Sequence, residues 1–165
     1  MYFDKEFDNL INEYLMHPKV QEMSKYKHHG ITRLEHSIRV AYYTFKVCKK
    51  LRLNYKEATI AALLHDFFLD EVEKENGIDR LIHHPKYAAE NAEFYFKINE
   101  FQKDIILRHM FPVTFIPPKY LEGWIVDTVD NIASIYERCY SSANSLARTT
   151  NVITMAIISF IKFKI

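Results

Sequence analysis

The chemistry legible in this sequence rests on histidine and aspartate. The chain holds 8 His in 165 residues, and four of them lie at the ends or on the apolar faces of helical patterns. His36 falls one turn past a helix start, in line with Val40, Tyr43 and Val47. His65 closes a run in which Ala58, Ala61 and Ala62 lie beneath it at i−7, i−4 and i−3, and Asp66 follows directly. His84 precedes Pro85, and His109 ends a pattern carrying Ile105 and Ile106. Asp130 is flanked by Val126, Val129 and Ala133. An ionised carboxylate buried without a partner costs several kcal/mol even after relaxation, and a metal ion is one way to remove that cost. A single histidine on an apolar face is ordinarily a core residue bonded to a backbone carbonyl. Convergence of imidazoles and carboxylates from five segments points instead to a shared cation.

Such groups need rigid elements to bring them together, and the composition favours helices. Only 3 Gly are present, so the positive-φ positions that tight hairpins require are scarce. Neither GxGxxG nor a Walker loop occurs, which excludes Rossmann and P-loop chemistry. Residues 4–16 form a first amphipathic pattern. Thr32 and Glu35 read as a capping box opening a helix to Leu51. Asn54 and Glu57 repeat that signature before Ala58–Leu64. Residues 70–83, charged and containing Gly77, read as a loop. Pro85 suits the first turn of a helix reaching about Lys97, and Asn99 with Gln102 caps another through His109. Phe111–Pro118 is a Pro-rich connection, and a last helix runs from about Lys119 to Tyr140. No segment alternates as a strand does. The expectation is an all-α fold: one compact bundle of about six or seven helices spanning 1–165.

Charge and cysteine content narrow the setting. The net charge of +1 offers no field that would select a nucleic acid duplex or an anionic membrane. Cys48 and Cys139 are too far apart for a CxxC pair and read as free thiols. The acidic, mixed N-terminus lacks signal-peptide character, and no run reaches the ~18 apolar residues of a membrane span. The reading is cytoplasmic. The tail NVITMAIISFIKFKI is apolar but interrupted by Lys162 and Lys164; it serves as a packed C-terminal helix or as a partner interface, including one between copies of the chain.

These residues resemble the HD-domain metal-dependent phosphohydrolase superfamily, whose signature is a first His, a later His-Asp pair and a distal Asp. The matching passages are LEHSIRVAYYTF with His36, AALLHDFF with His65 and Asp66, and VDTVDNIAS with Asp130. HHPKYAAENA with His84 and IILRHM with His109 are similar to members that hold two metals. The resemblance covers about residues 14–140 and extends to a bacterial subgroup of hydrolases without an assigned substrate; residues 141–165 are an extension outside it. Many members carry HDxGK, whereas this chain has Leu69 where the lysine stands.

The resemblance implies that His36, His65, Asp66 and Asp130 hold one metal and that Asp66, His84 and His109 hold a second. Imidazole and carboxylate donors without thiolate suit Fe, Mn, Co, Ni or Zn, and Mg less readily. The implied reaction is hydrolysis of a phosphate ester, mono- or diester, of a nucleotide or other small molecule by an activated water. Asp66, His84 and His109 then touch the chemistry, with His84 or His109 as general acid where one ion is bound. Arg33, Lys86 and Arg108 adjoin proposed ligands and are candidates to orient phosphate. Asp127, one turn before Asp130, is a candidate outer carboxylate. Two other readings stay open: a di-iron oxygenase of HD type, and a non-catalytic signalling module.

Overall fold

The computed structural model describes residues 4–28, 30–69 and 77–162, with the side chains of His28 and of 144–162 outside the description. Helices α1 (Lys5–Leu15), α2 (Pro18–Glu22), α3 (Arg33–Lys50), α4 (Tyr55–Leu64), α5 (Gly77–Phe96), α6 (Glu100–Arg108) and α7 (Leu121–Lys162) make up almost all of it, as the low glycine content leads one to expect. Met23–Lys25 adds a single 3-10 turn.

Helix α4 is the centre of the packing. Every residue from Ala58 to Leu64 is buried, and its alanines let neighbouring backbones approach. It packs against α3 and α6, while α7 crosses α3, α4 and α6. The described core is one contiguous cluster, including Phe7 and Ile11 of α1, Val40 and Phe45 of α3, Ile105 and Ile106 of α6, and Val126 of α7. Two capping boxes form as the sequence predicts. Thr32 accepts from the Glu35 amide while Glu35 accepts from the Thr32 amide, and Asn99 and Gln102 do the same before α6.

Four local expectations need correction. Asn54 precedes α4 without a side-chain cap. Glu57 accepts instead from the Asn99 side chain at 2.7 Å, and Glu122 of α7 accepts from the Asn54 amide at 3.0 Å. Tertiary partners thus replace the local ones. Helix α5 begins at Gly77, with Pro85 inside it rather than in its first turn. Residues 77–83 carry Ile78, Leu81 and Ile82 at helical spacing, but these side chains stay exposed, and the Leu81 carbonyl that Pro85 leaves without an N–H partner lies in that exposed segment. The rest of the expected loop, 70–76, lies outside the described residues. Helix α7 continues through Lys162 because no Gly or Pro follows Gly123 to stop it. The apolar tail is therefore an extension of α7; residues 163–165 are not described. Finally, Lys27–His28 pairs antiparallel with Ile31–Thr32, a sheet too short to leave an alternating pattern.

Gly30 turns that hairpin at φ 95°. A Cβ added there would lie 2.5 Å from Ser141 Oγ and 2.7 Å from Ser141 Cβ, so the hairpin docks closely on α7. Gly30→Ala is expected to cost about 1–3 kcal/mol, from strained backbone and clash together, in denaturant unfolding. Adding Ser141→Gly recovers the clash but not the backbone strain.

Candidate metal centre

The helices bring together side chains that lie far apart in sequence. His36 stands in the first turn of α3, in the register its capping box sets. His65 is the C-cap of α4, with Asp66 next to it, and His109 is the C-cap of α6. His84 comes from α5 and Asp130 from α7. All six are buried, and His36, His65 and His109 are essentially inaccessible to solvent. One donor atom from each of His36, His65 and Asp66 lies within 4.8 Å of the others; the same holds for His65, His109 and Asp130, and for Asp66, His84 and His109. Each pair of these groups shares one residue, His65, His109 or Asp66, and the six gather into one lobe around His36 and Asp130 and another around His84 and His109, with Asp66 bordering both.

Hydrogen bonds fix which nitrogen each ring presents. His65 Nδ1 donates to the Ala62 carbonyl at 2.7 Å, His109 Nδ1 to Ile106 at 2.7 Å and His84 Nδ1 to Arg80 at 2.9 Å. A carbonyl can only accept, so each of these rings carries its proton on Nδ1 and turns Nε2 toward the cluster. His84 Nε2 and His109 Nε2 then face each other over 3.0 Å, two lone pairs that a bridging proton or a metal ion would relieve. His65 Nε2 is buried without a hydrogen-bond partner, 3.6 Å from Asp130 Oδ1 and 3.9 Å from Asp66 Oδ2. Asp66 Oδ1 is 3.3 Å from His84 Nε2 and 3.9 Å from His109 Nε2. Buried, pre-oriented imidazole nitrogens beside two carboxylates fit a divalent transition metal.

The electrostatics divide the cluster. Burial disfavours the charged form of His36, but Asp130 at 2.8 Å from Nε2 and Glu137 at 2.9 Å from Nδ1 outweigh it and raise its pKa to about 10. Burial likewise opposes charge on His65, and Asp66 and Asp130 raise it. Asp130 is held well below the usual carboxylate range, because hydrogen bonding to His36 and the nearness of His65 overcome its burial. On the other side, burial lowers His84. Burial, with the neighbouring His65 and His84 imidazoles opposing a further positive charge, pushes His109 down to about 3. Both rings are neutral at physiological pH, with open Nε2 lone pairs.

The remaining candidates separate clearly. His84 enters the cluster while neighbouring His83 is exposed. Asp127 is buried beside Asp130 but belongs to none of the three groups; burial and the Asp130 charge raise it to about 6. Arg33 donates to the Phe68 carbonyl at 2.6 Å and stacks on the Phe68 ring, which lies 5.2 Å from the His84 ring. Lys86 is exposed and pairs with Glu90, and Arg108 is taken up by Asp104 and the Pro117 carbonyl. Leu69 is part of the apolar core. Two residues escaped the sequence reading: Glu137, 2% exposed, and Arg39, which donates to it. The available signal was register, since Glu137 follows Asp130 by two helical turns and Arg39 follows His36 by one.

A folded-state pKa of about 10 against 6.5 means that the folded protein keeps a His36 proton the unfolded chain has released. That stabilisation is complete below pH 6.5 and is lost as pH rises toward 10, and the raised His65 acts in the same direction. The melting temperature of chelator-treated protein is therefore expected to fall from pH 7 to pH 10. With Mn²⁺ on Nε2, His36 keeps only its Nδ1 proton and has no second proton to lose between pH 7 and pH 10, so the decline should flatten. An equal decline in both samples would contradict the His36 assignment.

A family model described as HD domain matches residues 33–135. No curated protein and no solved structure matches the chain.

Proposed function

The chain belongs to the HD-domain family, and from that membership we propose that it is a metal-dependent phosphohydrolase acting on a nucleotide or another small phosphate ester. The observation that carries this reading is the set of buried Nε2 atoms, each oriented by an Nδ1 hydrogen bond and gathered around Asp66 and Asp130. His36, His65, Asp66 and Asp130 would hold one ion, and Asp66, His84 and His109 a second. A divalent Fe, Mn, Co, Ni or Zn ion, when bound, supplies the Lewis acidity that activates water and offsets charge on phosphoryl oxygens.

The protein's own groups supply the rest. Asp66 lies between the two lobes and keeps both sets of imidazoles in one frame. His84 and His109, neutral at Nε2, suit ligation or proton acceptance better than the proton donation expected of a general acid. Of the three cations expected to orient phosphate, Arg33 remains the best placed, one ring away from His84 through Phe68. Asp127 is a candidate to exchange a proton near neutral pH at the edge of the cluster. Among the described residues no helix is long and apolar enough to cross a membrane. The α7 extension is proposed as a contact between copies of the chain.

Elemental analysis of the purified protein, followed by a nucleotide screen with the metals found, tests the reading. Phosphate release should depend on the metal, and His65→Ala or Asp66→Ala should lower it by at least about 100-fold, the loss of several kcal/mol of charge stabilisation. Unchanged hydrolysis in both variants would refute it. Oxygen consumption by iron-loaded protein without phosphate cleavage would replace it with the di-iron oxygenase.

A further inference from the structure

Glu137 is the most deeply buried acid among the described residues. Its Oε2 accepts from His36 Nδ1 at 2.9 Å, while Oε1 accepts from Arg39. Arg39 follows His36 by one turn of α3 and also lies 5.7 Å from the Tyr136 ring, so the guanidinium is held between two residues of α7. For His65, His84 and His109 the Nδ1 proton goes to a main-chain carbonyl about one turn earlier in the same segment. At His36 that part is played by a side chain from another helix.

We infer that Glu137, anchored by Arg39, is the positioning residue of the metal centre: it holds the His36 Nδ1 proton so that Nε2 is the nitrogen turned to the metal. This rests on the metal-site reading above. A carboxylate behind a ligating imidazole fixes its tautomer and ring orientation and raises its basicity. Arg39 balances the charge of Glu137, which would otherwise have to share the His36 charge with Asp130. Since Glu137 and Asp130 lie two turns apart on α7, one helix sets both the ring and the carboxylate opposite it.

Co²⁺ is the probe. Its affinity is measured by chelator competition, its ligand field by visible absorption, and the His36 tautomer by ¹⁵N NMR of the loaded protein. Glu137→Leu should weaken Co²⁺ binding by about 10–100-fold and alter the absorption spectrum. Glu137→Gln keeps an acceptor oxygen and should recover most of the affinity, and Arg39→Gln should show a smaller loss. Combining Arg39→Gln with Glu137→Leu should add little, because both act through one ring. If Glu137→Leu does not fold, Arg39→Gln carries the test. Wild-type affinity, spectrum and tautomer in Glu137→Leu, or in Arg39→Gln where Glu137→Leu does not fold, would overturn the inference and leave the metal centre standing. Failure of the wild-type protein to bind Co²⁺ would overturn both.

Discussion

The contact between His36 and Asp130, 2.8 Å from Nε2 to Oδ1, is the interaction around which the rest of the molecule is arranged. It joins the first turn of α3 to the third turn of α7, and both groups are buried. Charged groups can be kept there only if each has a partner, since the desolvation cost is several kcal/mol per ion. The structure meets that requirement by a chain of alternating charge from Arg39 to Glu137, His36 and Asp130, with His65 beyond. Breaking any link leaves a charge with one partner fewer. The crossing of α3 and α7 is for this reason fixed as much by electrostatics as by apolar packing.

Charge is spread unevenly over the six side chains. Around His36 and Asp130 the carboxylates dominate and protons are retained; around His84 and His109 burial dominates and protons are excluded. A cation entering the first region must displace a proton, whereas the second already offers free lone pairs. Asp66 borders both. The two lobes therefore differ in how they receive a metal although they share a carboxylate.

Sequence legibility followed the range of the interactions involved. The Thr32–Glu35 and Asn99–Gln102 boxes are local, and they form where spacing predicts. Asn54 and Glu57 have the same spacing, but Asn99 and Glu122, distant in sequence, take their hydrogen bonds. The positions of His36, His65, Asp66, His84, His109 and Asp130 stood out because each interrupts an apolar pattern or ends a helix. Glu137 did not, because its role exists only once α7 lies beside α3. The first turns of α5 were hidden for a different reason: Ile78, Leu81 and Ile82 have helical spacing, but so short a pattern is outweighed by Gly77 and the charges around it. Scarcity of glycine, read at first as a sign of helices, also accounts for the length of α7.

Helix termini explain why so few residues suffice to build the cluster. The last carbonyls of an α-helix lack intrahelical partners, and at the ends of α4 and α6 a C-cap histidine turns back to bond one of them, Ala62 and Ile106 respectively. That single bond satisfies one of those carbonyls, fixes the tautomer and aims Nε2 inward. The two C-termini also bring the negative ends of their helix dipoles to the same point, each favouring a cation by about 0.3–1 kcal/mol. Asp66 follows the α4 cap directly, so the end of one buried helix places both an imidazole and a carboxylate. His36 enters from the other end of a helix, where there is no orphan carbonyl to bond, and its ring is held from outside by Glu137. The different support given to His36 follows from its position at a helix start.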